Sequence, residues 1–226
     1  MDAVVFGASG AIGAAVVTRL RSAGCEVVGT ARTARGELRG VDPFGEAGVD
    51  QLNGSGPFEV AIWAQGTNCN DTIADADLDR HVEVLQANLL FVTRTLQHLL
   101  ARDALRAGAR LCVISSIWEN VVRPNKFSYT VSKAALGGFV RSAAVDLAPR
   151  GIFVNAVLPG VVDTPMTRDV LTDEQIGRFE EATGFGRLVG ADDVANAVYF
   201  LVSAANTGIT GQSIPVDLGY SNVHVL

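Results

Sequence analysis

VVFGASGAIG, residues 4 to 13, sets a short β-branched run against three glycines spaced three apart, Gly7, Gly10 and Gly13. The run over residues 4–6 reads as a strand, and residues 14–23 carry a helical pattern. Glycines between them let the chain turn sharply. They also let backbone N–H groups come close to a pyrophosphate at a helix N-terminus, where aligned peptide dipoles favour an anion. A simple tight turn would use the same residues. What favours the anion is position, after the first strand and before a helix. Gly7, Ser9, Gly10, Ala11, Ile12 and Gly13 are the candidate contacts along this turn.

Outward from the turn, short apolar runs alternate with helical patterns almost to the end of the chain. Strands are expected over residues 4–6, 26–30, 38–42, 59–64, 110–115, 153–158 and 213–216. Helices are expected over 14–23, 47–52, 78–86, 89–105, 128–148 and 192–203. LCVIS and VAIWA are continuous apolar runs without alternation, as in strands covered on both faces of a parallel sheet. The chain therefore predicts a Rossmann-like, doubly wound α/β fold: a mainly parallel seven-stranded sheet with helices on both faces. Ligands bind such sheets beyond the carboxyl ends of the strands. The 226 residues, with no Pro/Gly/Ser-rich linker, predict one domain. Residues 166–187 read as an irregular stretch, long enough for a mobile flap over a site.

Composition narrows the function. Hydrophobic residues at 48% can fill a large core, and the formal charge of −6 without a basic stripe argues against a nucleic-acid partner. Cys25, Cys69 and Cys112 lie far apart in or beside apolar runs and read as reduced core thiols. His81, His98 and His224 are equally dispersed, so no metal spacing appears. The strand-like start DAVVF and the absence of a membrane-length apolar run predict a soluble, cytoplasmic protein.

The end of the second strand bears on cofactor choice. A carboxylate there bonds a ribose 2′-hydroxyl, whereas an arginine accommodates a 2′-phosphate. VVGTARTAR offers Arg32 and no acid before Glu37, which favours NADP over NAD. Arg32 as an ordinary surface arginine is the alternative.

FSYTVSKAAL, residues 127 to 136, places Lys133 four residues after Tyr129, although the chain has only two lysines and three tyrosines. On a helix these two share one face. An ammonium beside a phenol favours the phenolate, so the tyrosine pKa should fall. A phenol tuned in this way gives a proton to a carbonyl oxygen as hydride arrives, or removes one from an alcohol in reverse.

GASGAIG, Asn88, Ser116 in VISS, YTVSK and NAVLPGVVDTPM, in that order, resemble the short-chain dehydrogenase/reductase superfamily, in particular its small carbonyl reductases and 3-oxoacyl-carrier-protein reductases. The resemblance extends to GITGQSIPVDLGYS near the end. It implies Tyr129 as general acid/base, Lys133 as its partner and a ligand of the nicotinamide ribose, and Ser116 as the holder of the substrate oxygen. Asn88 would anchor a water-linked proton relay. By the same resemblance Asp42 would meet the adenine amino group, and Ala64, Gln65 and Gly66 would line the adenosine half. Pro159 and Gly160 bend the chain away, so that backbone near Val162, assisted by Thr164, would meet the carboxamide. Trp118, Glu119 and the 166–187 stretch would select the substrate.

Some positions depart from the family pattern. Phe6 stands where the family has Thr, Ala11 replaces a middle glycine, and WAQG, residues 63–66, replaces Asn-Asn-Ala-Gly. Asp-Gly-Gly near the end becomes Asp217-Leu218-Gly219. None removes a catalytic group. The sequence thus predicts an NADP(H)-dependent oxidoreductase acting on a small carbonyl or secondary alcohol. A dinucleotide-sensing protein without turnover is the alternative. SKAALGGFVRSAA offers an Ala/Gly-rich helix face, and the family commonly assembles through this helix, which predicts a homodimer or homotetramer.

Overall fold

The computed structural model describes residues 1–45 and 48–222. Seven strands form one parallel sheet in the order β3-β2-β1-β4-β5-β6-β7. They are β1 (Asp2–Phe6), β2 (Glu26–Ala31), β3 (Arg39–Gly40), β4 (Phe58–Trp63), β5 (Leu105–Ile114), β6 (Phe153–Pro159) and β7 (Ser213–Val216). The strand order reverses between β1 and β4, which opens a crevice at their carboxyl ends.

Side chains alternate between two cores, as the pleat requires. Val4 and Phe6 of β1, with Trp63, Leu111, Val113 and Leu158, face helices α3 (Phe91–Ala101) and α4 (Phe127–Leu147). Ala3 and Val5, with Val60, Ile62 and Cys112, face α1 (Ala11–Ser22) and α7 (Ala191–Val202). Both faces are dry, so the strands need apolar residues throughout. Among the described residues no helix is long and apolar enough to cross a membrane.

The structure departs from sequence expectation in four places. α2 (Leu78–Leu85) and α3 are joined by a π-helical turn, Gln86–Leu90, with the buried Asn88 inside it. α3 stops at Ala101, short of the expected 105. Asp103 takes a left-handed conformation (φ 50°) that turns the chain, and β5 begins at once with Leu105 opposite Phe58. Residues 166–187 are largely helical, as α5 (Pro165–Val170) and α6 (Asp173–Ala182). A reciprocal capping box starts α6, with Thr172 accepting from Gln175 N and the Gln175 side chain accepting from Thr172 N. The helix expected over 47–52 is reduced to a 3₁₀ turn, Asp50–Leu52. Ala47, like His224, lies outside the described residues. All three cysteines are free, Cys25 and Cys112 buried but Cys69 only partly so.

Phe6 and Trp63 sit opposite each other across β1 and β4, and their rings stack with centroids 5.4 Å apart and planes 12° from parallel. Phe91 meets Phe6 edge-on at 5.8 Å, and the Trp63 indole N–H donates to Thr95 Oγ1 at 2.7 Å. The two departures noted before Gly7 and at the start of WAQG are therefore one cross-strand pair. Apolar stacking and one indole hydrogen bond brace the strand ends here.

Candidate active site

Ser116 lies just beyond β5, extended (φ −167°), and its Oγ accepts from Trp118 N at 3.3 Å. Tyr129 and Lys133 ride the first turns of α4, whose N-terminus is anchored by Asp71. Ser128 N donates to Asp71 Oδ1 at 2.9 Å, and Phe127 N donates to the Asp71 carbonyl at 3.1 Å. The shared face expected for the pair is present. Lys133 Nζ is 5.7 Å from the Tyr129 ring centroid and donates to Ile114 O at 3.2 Å.

Electrostatically the outcome differs from the simple expectation. Burial raises the Tyr129 pKa, while hydrogen bonding with Ser116 pulls it down. Lys133 is 4% exposed, and burial lowers its pKa to about 8 against the opposing charge of Glu119. Desolvation disfavours the charged form of both groups, and in the protein alone it outweighs the Ser116 hydrogen bond at Tyr129 and the Glu119 charge at Lys133.

Asn88 completes the cluster. It donates to Thr67 O at 3.0 Å and Ser132 Oγ at 2.8 Å, and accepts from Thr67 N at 2.8 Å. The π-helical turn is what aims this side chain at the loop after β4 rather than along its own helix. Gly66 lies between the two halves of the site: a Cβ there would stand 2.9 Å from Asn88 Oδ1 and 3.7 Å from Lys133 Nζ.

Two features of the cluster escaped sequence reading. The other lysine, Lys126, also lies 5.7 Å from the Tyr129 ring, nearly buried, with Asn68 Oδ1 at 2.7 Å and Asn70 Oδ1 at 2.5 Å. Burial first, then the charge of Arg123, lower its pKa to about 8. Lys126 is the N-cap of α4, with non-helical backbone (φ −137°), so helical spacing from Tyr129 did not reveal it. Ser132, which holds Asn88 and bonds Tyr129 O at 2.7 Å, is the second.

The crevice between β1 and β4 fits a dinucleotide. Gly7 has φ +77°, and a Cβ there would collide with Gln65 N at 2.5 Å; one at Gly13 would strike Gly7 O at 2.1 Å. These glycines hold the turn closed against β4. A Cβ at Gly10, by contrast, would make only ordinary contact, with Gly7 O at 3.5 Å, and neither a side chain nor an early acid caps α1. Its first N–H groups remain available to an anion. Ser9, Ala11 and Ile12 flank them, and Ala64 N is bound to Phe6 O at 2.9 Å. Gln65 Oε1 is buried without a partner. Lys133, with three donors, uses one, and so fits a ribose hydroxyl. Arg32 is exposed just past β2, and Glu37 pairs instead with Arg21 at 3.7 Å.

Other candidates are partly engaged. Asp42 Oδ1 accepts from Phe44 N at 3.0 Å, leaving the rest of its carboxylate for an adenine. Thr164 Oγ caps α5 through Thr167 N at 3.2 Å, and Thr167 Oγ donates to Val162 O at 2.6 Å. Pro159 ends β6, and Gly160 N donates to Val216 O at 3.0 Å.

A family model described as Enoyl-(Acyl carrier protein) reductase matches residues 53–221. The chain belongs to the short-chain dehydrogenase/reductase superfamily. The 3-oxoacyl-(acyl-carrier-protein) reductase FabG of Escherichia coli (strain K12) is 31% identical, over 96% of both chains. Among solved structures, a short-chain dehydrogenase/reductase from Serratia marcescens BCRC 10948 superposes with a TM-score of 0.88 at 27% identity, over 97% of each chain. A short chain dehydrogenase family protein from Francisella tularensis gives 0.86 at 27% identity, over 97% of this chain and 98% of that one. As a member of this superfamily the chain is an oxidoreductase.

Proposed function

We propose that this protein interconverts a carbonyl compound and a secondary alcohol with NADP(H), using Tyr129 as general acid/base. The observation that carries the reading is the placement of Lys133 Nζ: 5.7 Å from the Tyr129 ring, bonded to Ile114 O two residues before Ser116, and beside Gly66 at the carboxyl ends of β4 and β5. The nicotinamide cofactor, when bound, supplies or accepts the hydride. In the reducing direction Ser116 Oγ holds the substrate oxygen and Tyr129 donates its proton to it. Burial keeps the free tyrosine protonated, as an acid must be. The charge of Lys133 then meets the phenolate left behind. Asn88 anchors the water-linked relay that returns a proton.

Gly7, Ser9, Gly10, Ala11, Ile12 and Gly13 hold the pyrophosphate, with Arg32 on the 2′-phosphate and Asp42 on the adenine. Ala64, Gln65 and Gly66 line the middle of the crevice, with Lys133 on the ribose. Pro159, Gly160, Val162 and Thr164 border the carboxamide. Residues 1–226 act as one catalytic domain, with 166–187 as its flap. Similarity to a 3-oxoacyl-(acyl-carrier-protein) reductase brings 3-oxoacyl thioesters within the candidate substrates. The protein works in the cytoplasm as a homodimer or homotetramer.

The deciding test is a panel of ketones, quinones and acyl thioesters with each reduced cofactor, followed by nicotinamide absorbance. Turnover that Tyr129→Phe lowers by about 10²–10⁴-fold is expected. Bound NADPH without oxidation on any compound would overturn the reading.

A further inference from the structure

We infer that the cleft between α6 and the turn after Ser116 binds an anionic group, a carboxylate or phosphate, carried by the carbonyl substrate, with Arg123 as its anchor. This rests on the reductase reading above. The cleft measures about 250 Å³ and is lined by Arg123, Gln175, Arg178, Phe179, Ala182 and Tyr220. The Arg123 guanidinium lies 5.8 Å from both the Trp118 and Phe179 rings. Tyr220 closes the aromatic wall, edge-on to Trp118 at 6.2 Å and tilted against Phe179 at 5.9 Å.

Among the described residues Arg123 has cationic company and no anionic partner. Its Nε is buried without a hydrogen-bond partner, and among the described residues it joins no ion pair. Arg178, at the rim, has Glu174 at 2.6 Å. Ring contacts favour a guanidinium but leave its N–H groups unsatisfied. A donor fork with its Nε desolvated matches a carboxylate or phosphate, and the rings packed beside it strengthen the pairing by lowering the local dielectric.

The cleft is linked to the reacting groups through Trp118 and Lys126. Trp118 N is bonded to Ser116 Oγ, and the charge of Arg123 is felt at Lys126, which sits 5.7 Å from the Tyr129 ring. Arg123 and Lys126 thus make a local positive field, partly offset by Asp71 at Lys126, in a chain of net charge −6. Such a field draws in an anionic substrate and orients it with its carbonyl toward Ser116.

Two sources of the anion are distinguishable: a small oxo acid, or the phosphate-bearing arm of a thioester. The test compares kcat/KM within matched pairs. These are levulinate against its methyl ester, 5-oxohexanoate against its methyl ester, and acetoacetyl-coenzyme A against acetoacetyl-N-acetylcysteamine. The anionic member of at least one pair should be preferred by 10-fold or more, about the worth of a charge-assisted hydrogen bond. Arg123→Met should bring that ratio near one, mainly through KM, while Arg123→Lys keeps part of it and Arg178→Gln changes it less. The pair that responds identifies the source. Turnover of the neutral compounds with no anion preference, or equal losses for both members in Arg123→Met, overturns the anion site and leaves the reductase reading standing. No turnover of any compound with either cofactor removes both.

Discussion

Tyr129 and Lys133 show what burial does to a proton-transfer pair. Lys133, with a pKa near 8 in the fold against 10.5 unfolded, binds fewer protons than the unfolded chain between those values. Stability from this group therefore rises with pH across that window, and below about pH 8 the buried charge is a standing cost. Lys133→Met should raise Tm at pH 7 by about 2–6 °C, a gain that shrinks to nothing near pH 10.5, while turnover is lost. A lower Tm at pH 7 by calorimetry would contradict the desolvation account. Arg32 poses the opposite case, an exposed cation whose only proposed role is the cofactor. Arg32→Ala should weaken NADPH by about 10–100-fold and NADH by much less, measured by titration. Equal losses would refute the 2′-phosphate assignment. The pair at residues 129 and 133 was legible because four residues make one helical turn. The tyrosine's pKa direction was not, since spacing carries no information about burial. Lys126 went unread although it is the only other lysine, because its closeness depends on how the chain enters α4.

At the scale of elements, the strands and main helices followed from apolar runs and helical periodicity, and the misreadings cluster where a local device overrides pattern. The TDEQ start of α6 is a capping box that the sequence displayed openly, yet the following turn is too polar to show a strong apolar stripe. The π-helical turn at Asn88 has no composition signal; its extra residue shows only in the structure, where Asn88 reaches Thr67. Phe6 and Trp63 were visible as two departures, but only strand register reveals them as one. Their coupling is measurable. Trp63→Asn and Phe6→Thr should each cost about 3–5 kcal/mol, and the double variant about 1 kcal/mol less than their sum. Strict additivity in denaturant unfolding would show that the rings act independently.

The whole molecule leaves one helix face unaccounted for. α4 exposes Val131, Ala134, Gly138, Ser142 and Val145 along one side, small or apolar at helical spacing. Its other glycine, Gly137, is already used, because a Cβ there would meet Glu119 Oε1 at 2.5 Å. Glu119 in turn accepts from Ser213 Oγ at 2.6 Å. At Gly138 a Cβ would meet nothing within 4 Å, so a larger side chain is harmless within the chain. Gly138→Leu should therefore leave the monomer fold intact, yet split the proposed homo-oligomer in light scattering. An unchanged oligomer would move the interface elsewhere.

The placement of the two tryptophans has an optical consequence. Trp63 is sealed inside the sheet and Trp118 packs behind the cleft against Tyr220 and near Arg123, so emission from the native protein mixes a structural signal with a local one. With Trp63 replaced by Phe, the remaining indole becomes a single fluorophore beside Arg123. Its quenching on mixing would time the arrival of a substrate separately from the absorbance change that follows.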